Sequence, residues 1–128
     1  YLRLAQMLLT HGQEFAEAWN FGPLQHSAIT TLEVVQKLVD RWDGDRSRIQ
    51  YDPAGAKVHE AHSLHLNWDK SASLLQWRPV FTIDEALSET VMWYQAYQRG
   101  DDIQSVCHRL LENYVEQAHR LNLAWASE

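Results

Sequence analysis

Three histidines recur at a spacing of three in the stretch HEAHSLHLNWDK (59–70), at His59, His62 and His65, with Glu60 beside the first. Imidazole and carboxylate together are the raw material of metal sites, proton transfer and hydrogen-bonding pocket walls. The zinc signature H-E-x-x-H needs its histidines four apart, so that both lie on one helix face. His59 and His62 are three apart. In an extended segment those two point to opposite faces, and His59 and His65 share a face at roughly 20 Å. That is too far to share an ion whose nitrogen bonds are about 2 Å, so only a bent segment makes a metal site. Two other readings stay open. His59, Glu60 and His62 are either hydrogen-bonding groups at a ligand cleft or polar residues of a strand and loop facing water.

Other chemistry is missing from the sequence. The five glycines, Gly12, Gly22, Gly44, Gly55 and Gly100, are too scattered for G-x-G-x-x-G or a P-loop. There is no G-x-S-x-G elbow. The single cysteine, Cys107, falls in a helical pattern and is expected to be a small buried apolar residue. One cysteine forms no internal disulfide, which predicts a reducing, cytoplasmic setting. The formal net charge of −6 argues against a nucleic-acid partner. No apolar run approaches the ~20 residues of a membrane span, and the start, YLRLAQML, does not resemble a secretory signal.

The elements that would position the histidine stretch are mostly helical. The 128 residues fit one domain, 1–128. A helix is expected from about Tyr1 to His11, stopped by Gly12. Its apolar start without a capping residue reads as a chain beginning inside something larger. EFAEAWNFGP (14–23) alternates like a buried strand ended by Gly22-Pro23. Thr30 with Glu33, and Thr82 with Glu85, have capping-box spacing and should open two helices. RIQYDPAG (48–55) and SLHLNW (63–68) read as short strands. A short helix is expected at about 70–76, and a last long one from Asp101 to about Leu123. The predicted buried stripes include Tyr94 and Tyr97 on one helix and Cys107 and Leu111 on the next. Trp19, Trp42, Trp77 and Trp93 are expected largely in the core. The fold class expected is α/β: a small, mostly helical domain with three or four short strands.

Four blocks taken together, AWNFGP (18–23), HEAHSLHLNWDKS (59–71), LLQWRPVFTIDEALSETVMWYQAY (74–97) and GDDIQSVCHRLLENY (100–114), resemble the C-terminal part of the CDP-glucose 4,6-dehydratase family, within the extended short-chain dehydrogenase/reductase superfamily. The third block is shared widely among nucleotide-sugar epimerases and dehydratases. The second and fourth point to the CDP-glucose branch. Two departures stand out: Asn67-Trp68-Asp69-Lys70-Ser71 replaces an Asp-Cys-Ser-Lys-Ala run, and Gln76 stands where a glycine is common.

The resemblance implies an N-terminal Rossmann domain outside this chain, carrying the NAD site and a Tyr-x-x-x-Lys pair. No tyrosine here has a lysine four residues on. The chain is then a substrate domain, inactive alone, with no catalytic, cofactor or metal residues of its own. His59, Glu60 and His62 would contact CDP-glucose, and Lys70 and Arg78 are candidate cations for its diphosphate. The parent enzyme would be a homo-oligomer. The alternatives are a stand-alone binding or interaction module, the substrate domain of another epimerase or dehydratase, and a histidine-based metal protein.

Overall fold

The computed structural model describes residues 1–24, 29–50, 52 and 66–126. Among the described residues five α-helices succeed one another: α1 (Leu2–His11), α2 (Thr31–Trp42), α3 (Asp69–Leu74), α4 (Ile83–Arg99) and α5 (Ile103–Arg120). Short 3-10 turns follow α1 (Gly12–Phe15), α2 (Arg46–Arg48) and α5 (Ala124–Ala126).

Both anticipated capping boxes are present. The Thr30 hydroxyl accepts from the Glu33 N–H at 3.2 Å while the Thr30 N–H donates to the Glu33 carboxylate at 2.6 Å. Thr82 and Glu85 repeat the exchange at 3.3 and 2.8 Å. Gly100 ends α4 in the left-handed conformation, φ 75°. The Asp101 N–H then returns to the Ala96 carbonyl at 3.0 Å, so orphan carbonyls at the helix end are satisfied. The turn brings α5 back antiparallel to α4. Trp93 Nε1 meets Cys107 Sγ at 3.4 Å and Asn113 Nδ2 donates to Glu89 Oε1 at 2.8 Å.

The α/β class expected from the sequence is wrong: among the described residues there is no strand, and this is a small helical domain. The alternation in 14–23 is real, but a strand needs a neighbouring backbone to take its N–H and C=O groups. Here the carbonyls of Ala18, Asn20 and Pro23 accept from the side chains of Lys70, Ser71 and Trp68 instead. Residues 12–15 have closed into a 3-10 turn. Of the other two expected strands, Arg48 lies in the second 3-10 turn, residues 49–50, 52 and 66–68 are irregular, and the rest falls outside the described residues.

The core is narrower than the periodicity implies. Val80, Ala118 and Leu123 form a buried cluster edged by Phe81, Tyr114 and Trp125. Leu87, Val91 and Ala96 on α4 and Val106 on α5 are also buried, as is Leu75 after α3. Tyr94, Tyr97, Leu111 and Cys107, all predicted inside, are exposed. Trp19, Trp42, Trp77 and Trp93 are half-buried rather than central. Each long helix has more apolar width than this chain has surface to cover it.

Candidate functional site

His59, Glu60, His62 and His65 lie outside the described residues. What is described is the anchorage of their segment's exit. Leu66–Trp68 runs beside Asn20–Pro23, and Asn20 Nδ2 donates to the Asn67 carbonyl at 3.2 Å. Trp68 Nε1 donates to the Pro23 carbonyl at 2.9 Å, and Ser71 Oγ to that of Asn20 at 2.6 Å. Gly22 lies against the same segment: a Cβ there would meet Leu66 Cβ and the Trp68 ring at 3.4 Å, van der Waals contact. Two blocks some 45 residues apart in sequence are thereby joined.

An aromatic line continues from this junction. Tyr1 packs edge-on to Phe21 at 5.3 Å, Phe21 to Trp77 at 5.0 Å, and Trp68 to Trp77 at 5.9 Å. Tyr114 stands between Phe81 and Trp125, 5.4 and 5.8 Å away. Burial raises the Tyr114 hydroxyl above its ordinary range, with the Trp77 side chain opposing.

The two candidate cations separate clearly. Lys70 is spent on structure. Its ammonium pairs with Glu17, donates to the Ala18 carbonyl at 3.1 Å and sits 4.3 Å from the centre of the Trp19 ring. Arg78, beside Trp77, is exposed and has no hydrogen-bond or ion-pair partner among the described residues.

The long helices offer little to an anion. A helix N-terminus attracts phosphate through its free N–H groups and dipole. Here Glu33 and Glu85 already occupy those of α2 and α4, and Asp102 that of α5, bonding the Gln104 N–H at 3.2 Å. All three carboxyls are held below their ordinary range. The cause is the Thr30 backbone N–H for Glu33, the Thr82 backbone N–H for Glu85 and the Ser105 hydroxyl for Asp102. Gly12, Gly44 and Gly100, the positive-φ glycines, follow helix C-termini, the wrong end for a pyrophosphate.

Two concavities flank α4. A polar cleft of about 290 Å³ is lined by Arg41, Asp84, Ser88, Glu89 and Asn113. Its charges satisfy one another: Lys37 and Arg41 both bond Asp84, at 2.9 and 2.5 Å, and Arg41 Nε donates to Ser88 at 3.0 Å. That pairing holds the Asp84 carboxyl low, Lys37 contributing most. This network links residues more than 40 apart and has no sequence signal. An apolar groove of about 530 Å³ on the other side is lined by Phe81, Trp93, Tyr94, Leu111 and Tyr114. No cluster of metal-ligating side chains occurs among the described residues, and no described helix is long and apolar enough to cross a membrane.

The junction just described joins two of the four blocks that carried the resemblance, and comparison with known proteins leads the same way. The chain is similar to the CDP-glucose 4,6-dehydratase of Salmonella typhimurium, 35% identical over 120 residues. The match takes in 94% of this chain and 33% of the relative, in its C-terminal part. The chain thus spans about a third of the length of the curated relative it matches. No family model matches it.

Proposed function

We propose that this chain is the substrate-side portion of a nucleotide-sugar dehydratase acting on CDP-glucose. Similarity along nearly the whole chain to a CDP-glucose 4,6-dehydratase carries the reading. The reaction removes one water: the C4 carbinol becomes a ketone and the C6 hydroxymethyl a methyl, with no net oxidant consumed. The internal transfer of hydride calls for NAD, which in this reading binds outside this chain, so the chain is inactive alone. The chemistry belongs to a Rossmann domain elsewhere in the polypeptide. Helix α1 supports such a neighbour, since Leu2 and Leu9 stand 81% and 88% exposed on it. The setting is cytoplasmic, in keeping with the single cysteine.

Within this reading Arg78 is the cation offered to the diphosphate, and His59, Glu60 and His62 hydrogen-bond the nucleotide or sugar. The test is the full-length gene product given CDP-glucose, with mass spectrometry of the product. A product lighter by one water supports the proposal. Turnover of a different nucleotide sugar moves the protein to a neighbouring branch, and turnover of none makes it a binding module. Arg78→Ala and Glu60→Ala should each raise KM about ten- to a hundredfold with kcat little changed, the effect of a lost bond to a charged group. Lys70→Ala should lower the melting temperature and leave KM alone.

A further inference from the structure

Arg78 is an exposed side chain on a segment held at several points. Leu75 before it is fully buried, and Val80 after it is 9% exposed. Pro79 keeps the backbone of Arg78 away from the helical region. The Trp77 N–H donates to the carbonyl of buried Ser71 at 3.1 Å. Two rings meet the Trp77 ring almost at right angles, Phe21 at 5.0 Å and 86° and Trp68 at 5.9 Å and 89°. Trp68 is itself fixed, because its Nε1 donates to the Pro23 carbonyl at 2.9 Å. A line of contacts thus runs from residues 20–23 through Trp68 and Trp77 to the root of the Arg78 side chain.

We propose that Trp68 is a positioning residue for Arg78: through its contact with Trp77 it fixes the backbone from which the guanidinium reaches, a role that rests on Arg78 meeting the diphosphate as proposed above. Ordering a long side chain on binding costs affinity, and ordering the backbone beneath it costs more. A backbone set before the ligand arrives removes the second part. A guanidinium also holds a phosphate through paired donors in fixed geometry, so a shift at its root is felt as lost alignment. Trp68 acts through Trp77 and not on the ligand, since its one donor is taken by the Pro23 carbonyl.

Steady-state kinetics of the full-length gene product with CDP-glucose test this. Trp68→Ala should raise KM about three- to tenfold with kcat little changed, the effect of leaving one long side chain to be ordered on binding. Trp68→Phe keeps a ring against Trp77 and should fall between the two proteins. It carries the same comparison if Trp68→Ala does not fold. In an Arg78→Ala background either substitution should raise KM no further, because the side chain it positions is gone. Affinity for CDP, by calorimetry, should fall by the same factor as KM rises, and affinity for cytidine should not. A rise in KM that persists in the Arg78→Ala background would overturn the role, as would an equal loss of cytidine. So would an unchanged KM in Trp68→Ala where Arg78→Ala raises it. An unchanged KM in Arg78→Ala, or no turnover of CDP-glucose, would overturn the reading of Arg78 and the role of Trp68 together.

Discussion

The N-terminal 24 residues and the α4–α5 hairpin are both rich in apolar side chains, yet they are held in opposite ways. The hairpin is built from local order. A capping box opens α4, a left-handed glycine closes it, and buried Leu87, Val91 and Val106 fasten the two helices to their neighbours. The N-terminal region buries no residue in α1 and has no side-chain cap there. It is tied down by a few side chains of residues 67–77, by the Phe21–Trp77 contact, and by Arg3 donating to the Leu75 carbonyl at 3.4 Å. An element that caps and packs itself depends on many small terms. One that is tethered depends on a few.

The contrast is open to direct attack. The largest effect should come from Leu75→Ala, because that side chain is fully buried where the tethering segment meets the body. A loss of about 2–5 kcal/mol in chemical denaturation is expected. Leu9→Ala, on the exposed face of α1, should cost almost nothing. Similar losses at the two positions would show α1 to be packed as the hairpin is.

Ser71→Ala comes next. Ser71 is fully buried and its hydroxyl bonds the Asn20 carbonyl, so removal leaves that carbonyl short of a partner at about 1–3 kcal/mol. Amide exchange should quicken in residues 16–24 and stay slow in α4 and α5. Uniform quickening along the chain would erase the distinction between the two regions.

The smallest effect is a gain. Gln76 has φ 51°, a left-handed conformation that costs a side chain roughly 1 kcal/mol and glycine nothing. Gln76→Gly should therefore raise stability by up to about 1 kcal/mol, read as a higher denaturant midpoint. A lower midpoint would mean that the Gln76 side chain contributes more than its backbone conformation costs.

The comparison also explains what the sequence disclosed. Capping boxes and Gly100 are local devices, legible because residues three or four apart decide them. The common glycine replaced by Gln76 marks a position that does require positive φ. The failures are all non-local. Alternation in 14–23 cannot say whether another backbone lies alongside, and the carbonyls there went to side chains some 50 residues away. The stripes of α4 and α5 were apolar as read, but periodicity does not say how much of a stripe this chain covers, so Tyr94, Tyr97, Leu111 and Cys107 were placed inside wrongly. At the candidate site the likeness to a CDP-glucose 4,6-dehydratase was legible. The pairing of Lys70 was not, because Glu17 and Trp19 reach it across some 50 residues.

The tethers from 16–24 to 67–71 also set an order of events during synthesis. Their sequence separations run from 45 to 53 residues, so the early region leaves the ribosome well before its partners exist. At about 5–20 residues per second that interval lasts several seconds. Contacts within the hairpin, such as Trp93 with Cys107, span only 14 residues and can close almost as soon as both helices emerge. Residues 16–24 thus wait for residues 67–71 to be made, whereas the two helices of the hairpin follow each other closely.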